Sequence, residues 1–428
     1  MTDPCFVGVD LGTSGCRAVA IDGEKKMVAW ARHPLPPPIL SAGGGSEQSP
    51  EIWWTGVVAL LRELSGRLNR HRVAALCIDG TSATLLLCAA DGSPLAPALM
   101  YNDSRAAAEA ALIASAAPND SPARGASSSL AKLLYLRGRL DPPPGAVAVH
   151  QADWILGRLT GRFGISDWNN SLKLGYDPLI QRWPDWLGEM DLTPVRLPQV
   201  VAPGTPIGPV HPSASAQTGL GTETLVVSGT TDSTAAVIAA GAKAPGDAVT
   251  SLGSTLVVKV LGETPVRAPE YGVYSHRLKD IWLIGGASNS GGAVLRQLFS
   301  DEQIRRLTQE LRPDETTGLD YYPLPVTGER FPVNDPGLAP RLEPRPDDDR
   351  LYFQGLLEGM ARIEAAGYHR LQALGAPSPK SVVTIGGGAE NSGWTHIRER
   401  MLGIPVQPAA AAEAALGTAL LALDGYRA

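Results

Sequence analysis

The sequence predicts an α/β protein whose basic unit occurs twice, and three observations carry that prediction. Apolar, strand-like runs alternate along the chain with amphipathic or small-residue helices. A polar, glycine-rich hairpin turn, Asp10-Leu-Gly-Thr-Ser-Gly15, returns in the second half as Ser251-Leu-Gly-Ser-Thr255, and each copy is followed at once by another strand. The chain has 428 residues, more than a single core normally serves. Two domains are expected, residues 1–221 and 222–428.

Composition sets the class. With 44% hydrophobic and 19% charged residues, the chain can bury substantial cores. A net charge of −6 offers no basic footprint, which argues against nucleic acid or anionic membrane as partners. No apolar run reaches membrane-spanning length, and Met1-Thr-Asp-Pro4 lacks a basic segment followed by an apolar core, so a cytoplasmic protein is expected. Cys5, Cys16, Cys77 and Cys88 form no Cys-x-x-Cys pair and have no histidine near them in sequence. Reduced core thiols are therefore expected, not a zinc site.

In chain order, Phe6–Asp10 reads as a buried strand, Cys16–Ile21 as its hairpin partner and Met27–Trp30 as a third strand. Gly12 and Gly15 allow a tight turn with open amides, and Thr13 and Ser14 add hydroxyls, a combination that suits phosphate. Residues 34–50 are rich in proline, glycine and serine and read as a surface loop. Helices are expected at 51–68, 105–116, 128–138 and 151–160. Val73–Ile78 reads as a strand that opens into Asp79-Gly-Thr-Ser-Ala-Thr84. Leu225–Val227 runs out into Gly229-Thr-Thr-Asp232, and a small-residue helix begins near Asp232. An acid there either stabilises the helix dipole or stands at a strand-to-helix mouth, where α/β folds collect ligands.

The second half continues with a strand at 248–250 and another at 256–260. The segment 301–350 is proline-rich and reads as irregular, and a helix is expected over 356–374. Val382–Ile385 opens into Gly386-Gly-Gly-Ala-Glu-Asn391, a strand, glycine and helix sequence that lets backbone approach a ligand closely. Gly417, in the alanine-rich closing helix over 413–423, is expected to permit close packing. No Gly-Lys dipeptide occurs, so there is no Walker A loop, and His-Arg-Asp, Asp-Phe-Gly and Gly-x-Ser-x-Gly are also missing.

Taken together, Gly8-Val-Asp-Leu-Gly-Thr-Ser14, Tyr101-Asn-Asp-Ser-Arg105, Gly229-Thr-Thr-Asp-Ser233, Ser251-Leu-Gly-Ser-Thr255, Gly328-Glu-Arg330 and Gly386-Gly-Gly-Ala-Glu-Asn391 resemble, in order, the motifs of the FGGY carbohydrate kinases. Within that family the chain is similar to the short D-ribulose kinase and xylulose kinase-like proteins of photosynthetic organisms. The resemblance implies two ribonuclease-H-like domains of the actin and hexokinase type with a cleft between them. It also implies ATP and Mg2+ as cofactors, a small-molecule sugar as substrate, and a monomer or homodimer.

By the same resemblance, Asp232 is the general base, and Asp10 meets magnesium through water and approaches the sugar. Gly12, Thr13, Ser14, Gly253, Ser254 and Thr255 hold phosphates, while Gly386, Gly387 and Asn391 border the adenosine. Gly291 and Gly292 either line that pocket or simply start a helix. Asp79 and Ser82 are sugar contacts, although Asp79 could equally cap its turn. The element Asp79-Gly-Thr-Ser82 replaces the Met-His-Gly-like element of bacterial xylulokinases, which favours D-ribulose over D-xylulose. The chain is shorter than typical members, and the missing length falls around the sugar site. An ATP hydrolase or a nucleotide-binding regulator on the same fold are the alternative functions.

Overall fold

The computed structural model describes residues 3–68, 71–410 and 413–428. Contacts divide the chain into two units, residues 1–239 with 413–428 and residues 240–412. The division departs from the expected boundary at 221/222. The strand and helix around Asp232 belong to the first unit, and so does the closing helix, because both pack on the first sheet.

The first unit is built on a six-stranded sheet. Its central strand, Asp3–Leu11, is buried from Cys5 to Leu11, as expected of a strand covered on both faces. Gly15–Ile21 pairs antiparallel to it, placing Arg17 opposite Asp10. His71–Gly80 pairs parallel on its other side, placing Asp79 opposite Asp10. Leu225–Thr231 follows in parallel, with Thr230 opposite Asp79. The carboxyl ends of three parallel strands thus meet at one sheet edge, the place where α/β sheets bind ligands.

Two helices cover the faces of this sheet. Pro50–Arg67 buries Trp53, Trp54, Val57, Leu60, Leu61 and Leu64, and each fully buried leucine contributes about 1.5–3 kcal/mol. The closing helix, Ala414–Arg427, lies so close to the first strand that a Cβ on Gly8 would stand 2.0 Å from the Ala415 carbonyl oxygen. A Cβ on Gly417 would stand 1.9 Å from the Ala235 carbonyl oxygen on the helix Asp232–Ala239. Only glycine admits backbones at that separation. The expected role of Gly417 is met, and Gly8 shares it.

A second sheet of five strands, including Leu85–Cys88 and Val147–His150, shares a core with the helices Ala107–Ala116 and Ser129–Arg137 of the same unit, whereas Gln151–Thr160 packs on the first sheet. The loop expected at 34–50 contains a hairpin, Ile39–Ser41 with Gly45–Gln48. Its return strand is fixed by the Asp103 carboxylate, which accepts from the Ser46 amide at 2.7 Å.

The second unit repeats the order of five of the six strands of the first. Asp247–Leu252 is its first strand, with Leu256–Gly262 antiparallel on one side and Ser381–Ile385 parallel on the other. Two expectations fail here. Asp301–Gln309, expected to be irregular, is a helix with a capping box between Ser300 and Gln303, which offsets the prolines that follow. The long helix begins at Asp349 rather than 356 and runs to Ala373, with Asp348 capping its first turn. Tyr352, Phe353 and Gln354 are buried in it. All four cysteines are free and buried, and burial pushes the thiols of Cys5, Cys16 and Cys88 up to about 12. No described helix is long and apolar enough to cross a membrane.

Candidate active site and nucleotide pocket

In the first unit the sheet edge gathers three carboxyl groups. Asp10 accepts from Arg17 Nη1 at 3.2 Å, and Arg17 also faces Glu413 at 3.7 Å. Arg17 is more than half exposed, so this pair adds little stability but places a cation beside Asp10. Asp79 has no exposed surface; its Oδ2 accepts from the Thr418 hydroxyl on the closing helix, and its Oδ1 receives no hydrogen bond among the described residues. Burial pushes the Asp79 carboxyl well above its ordinary range, the Asp10 and Asp232 carboxylates add to the rise, and the Thr418 hydroxyl opposes it. Such surroundings favour the protonated acid. No turn-capping bond to Asp79 is present among the described residues.

Asp232 is half-buried at the first position of its helix, where its Oδ1 accepts from the Ser233 amide at 2.6 Å. The strand before it is braced twice. A Cβ on Gly229 would lie 1.7 Å from the Ile78 carbonyl oxygen, and Asn169 Nδ2 donates to Thr230 Oγ1 at 3.0 Å. Asn169 is itself set by Asp167, which accepts the amides of Asn169 and Asn170 at 2.8 and 3.2 Å. Burial, then the charge of Asp153, pushes the Asp167 carboxyl up to about 7.

The turn of Gly12, Thr13 and Ser14 closes through the Gly12 amide on the Gly15 carbonyl at 3.0 Å, with Ser14 exposed. Ser82 is half-buried in a loop held from both ends. Thr81 donates through its amide and hydroxyl to Gln151 Oε1 at 3.0 and 2.7 Å. Ala83, at φ 68°, is a non-glycine residue in the left-handed region, and its carbonyl accepts from Lys132 Nζ at 2.8 Å. Lys132 is wholly buried, and burial pulls its amine down to about 7.

In the second unit a pocket of about 910 Å3 is lined by Gly253, Ser254, Gly292, Gly387 and Asn391, with Leu252, Leu295, Ile304 and Trp394 as apolar wall. Its size matches that of a ligand site. Of the nucleotide residues expected in this unit, Thr255 and Gly386 do not line it. Asn391 Oδ1 caps the helix Ser392–Leu402 by accepting from the Trp394 amide at 2.8 Å, and its Nδ2 donates to Thr308 at 3.2 Å. Gly387 faces open space, since a Cβ there would meet nothing within 4 Å.

Sequence reasoning missed Arg17, Lys132, Thr418 and Arg296, the last of which donates to Ser254 Oγ at 2.8 Å on the pocket wall. It also missed the contribution of Ile304 and Thr308, whose helix was signalled by Ser300 and Gln303 three positions apart. Bare glycine backbone, an apolar wall and Arg296 form a set that fits a nucleoside polyphosphate. Asp10, with a second acid behind it, fits Mg2+, which takes one or two carboxylates and keeps water. Among the described residues no group of three or more His, Cys, Asp or Glu could hold a metal ion unaided.

Comparison with known proteins agrees with this architecture. Residues 5–125 match the N-terminal domain of the FGGY family of carbohydrate kinases, and residues 248–424 match its C-terminal domain. Xylulose kinase of Escherichia coli (strain K12) is 27% identical over 410 residues, covering 91% of this chain and 83% of that protein. Xylulose kinase of Streptomyces rubiginosus is 29% identical over 459 residues, covering 97% and 87%. A solved xyloylose kinase from Brucella ovis superposes with a TM-score of 0.87 at 25% identity, covering 99% of this chain and 90% of that one. A xylulose kinase from Rhodospirillum rubrum, at 24% identity with coverage of 98% and 90%, gives 0.84 and shows the shared fold. The fold is the two-domain ATPase type of actin and hexokinase. The chain belongs to the FGGY family of carbohydrate kinases and is a sugar kinase.

Proposed function

We propose that the chain transfers the γ-phosphoryl group of ATP to the terminal primary hydroxyl of a ketopentose, with Asp232 as the base. The observation that carries this reading is the meeting of Asp10, Asp79 and the Asp232 strand at one sheet edge. The Ser233 amide holds one oxygen of Asp232, which restrains the carboxylate at the start of its helix. Phosphoryl transfer is largely dissociative, so the proton leaves late and a well-placed carboxylate suffices. Asp10 and Ser82 are read as further sugar contacts, and buried Asp79 as the neutral acid behind Asp10.

Gly12, Thr13 and Ser14 from the first unit, and Gly253, Ser254 and Thr255 from the second, are read as phosphate-holding turns. Gly386, Gly387 and Asn391 border the adenosine in this reading. Asp10 is the residue assigned to Mg2+, through water; the ion would neutralise charge on the phosphates. The Asp79-Gly-Thr-Ser82 element supports D-ribulose and a likeness to the short kinases of photosynthetic organisms. The names of the curated relatives support D-xylulose. Cytoplasmic action as a monomer or homodimer belongs to the same reading.

The test is ADP release from Mg-ATP with D-ribulose, D-xylulose, L-ribulose, glycerol or no sugar, with Asp232→Ala alongside. Stimulation by one ketopentose, lowered about 10²–10⁴-fold in the variant, is expected of a lost general base. Equal release without sugar, or full activity in the variant, would overturn the assignment.

A further inference from the structure

The motif Gly328-Glu-Arg330 has no place in the chemistry above, yet each of its residues holds the end of one strand. Arg330 Nε donates to the Ala287 carbonyl at 2.7 Å. Glu329 accepts from Ser288 Oγ at 2.5 Å, from the Asn289 amide at 2.8 Å and from its neighbour's amide, Arg330 N, at 3.0 Å. The Gly328 carbonyl accepts from Asn289 Nδ2 at 3.0 Å. Glu329 is almost wholly buried, and its hydrogen-bond partners among the described residues include no cation; neutral donors, with Tyr322 OH at 3.2 Å, surround its carboxylate instead. A buried carboxylate so fully donated to is costly to disturb.

The segment it holds reaches the pocket directly. After Ser288 and Asn289, the Ser290 carbonyl accepts from the Leu256 amide at 2.7 Å. The Gly292 amide then donates to the Gly253 carbonyl at 2.9 Å, and the Ala293 amide to the Ser254 carbonyl at 3.1 Å. Contact is so close at Gly291 that a Cβ would stand 2.8 Å from the Ser254 carbonyl oxygen. Residues 288–293 therefore form the bed on which the Gly253-Ser254 turn rests, and Gly253, Ser254 and Gly292 line the pocket.

We propose that Glu329 is a positioning residue for nucleotide binding: it fixes the 288–293 turn, and through it the Gly253-Ser254 turn, without touching the ligand. This rests on the reading of the second-unit pocket as the nucleotide site. The proposal predicts a split between substrates. Glu329→Ala should raise the KM for ATP about tenfold, the loss of roughly one buried hydrogen-bonding group's worth of order, while the KM for sugar stays within about twofold. Glu329→Gln, which keeps the acceptor for the Asn289 amide, should recover most of that affinity. Ser288→Ala removes a single hold and serves if Glu329→Ala does not fold; a smaller rise confined to ATP is expected.

ADP affinity measured by titration calorimetry gives a readout apart from turnover. An unchanged ADP affinity in both Glu329→Ala and Ser288→Ala, or equal changes in both KM values, would overturn the proposal. Gly387→Val separates the two readings, since it adds bulk to the pocket lining from a position where a Cβ meets nothing of the protein. If it leaves ADP affinity intact, the pocket assignment fails. If it abolishes binding while the Glu329 and Ser288 variants bind normally, only the positioning role fails.

Discussion

Lys132→Met should change how the stability of the first unit depends on pH. Lys132 Nζ donates to the Ala83 carbonyl at 2.8 Å and to the Tyr101 carbonyl at 3.4 Å, and no carboxylate is bonded to it. Burial is the main cause that pulls its amine from 10.5 to about 7; the Asp103 charge opposes this and Lys173 adds to it. Between pH 7 and 10.5 the folded lysine is mostly neutral while the unfolded one still carries its proton. The unfolded state binds more protons there, so this group makes stability rise as pH rises. At about 1.4 kcal/mol per unit, and allowing for half-protonation at the start, the gain from pH 7 to pH 9 is about 2 kcal/mol.

Methionine has a similar length and no charge, so the variant lacks this gain. It also strands the buried carbonyl of Ala83, at about 1–3 kcal/mol for a buried acceptor left unmade, while the exposed Tyr101 can turn its carbonyl to water. The remaining titrating groups are common to both proteins and cancel in the difference. Urea unfolding followed by tryptophan fluorescence is a suitable assay, because Trp30, Trp53, Trp54, Trp154, Trp168, Trp183 and Trp186 lie in the first unit and only Trp282 and Trp394 in the second. The wild-type advantage should widen by about 2 kcal/mol between pH 7 and 9. A difference that stays constant over that range would refute the reasoning.

Two further outcomes follow from buried carboxyl groups. Glu364 and Arg398 form a fully buried, two-point ion pair at 2.6 and 2.7 Å, and Thr250 donates to the same carboxylate at 2.5 Å. Glu364→Gln should cost about 3–5 kcal/mol of second-unit stability in thermal unfolding, and a loss below about 1 kcal/mol would contradict an uncompensated arginine. Asp79→Asn, which imitates the protonated acid, should leave the sugar KM within about threefold, because a neutral group replaces a neutral group. A rise beyond tenfold would mean that Asp79 meets the sugar as a carboxylate.

Much of the fold was legible because its signals are local. The turn at Gly12, the strand ending at Asp79 and the Asp232 helix start each announce themselves within a few residues. What sequence did not show is tertiary. Thr418, the partner of Asp79, lies 339 residues away from it, and nothing local marks it. Lys132 sits in a helix whose sequence reads as an ordinary amphipathic stretch, and only the approach of Ala83 and Tyr101 makes its amine unusual. The contact division differs from the expected boundary for the same reason, since Gly8 and Ala415 meet across most of the chain. The helix Asp301–Gln309 is a different case: its capping pair was present, and the density of prolines beyond it outweighed the signal.

The two units also explain why a repeated turn design need not mean a repeated chemistry. Corresponding sheet positions can be compared through their registers. In the first unit Asp10 stands opposite Asp79 on one side and Arg17 on the other. In the second unit Ser251 holds the place of Asp10, with Ile385 in the place of Asp79 and Val257 in that of Arg17. Every ionisable position of the first set is a hydroxyl or an aliphatic group in the second. The shared backbone supplies a strand end and an open glycine turn in both, which suffices to hold phosphate. Acid chemistry needs the carboxylates as well, and among the paired positions these occur in one unit only. In the function proposed above, this contrast amounts to a division of labour: the first unit supplies the groups that move a proton, and the second binds without reacting.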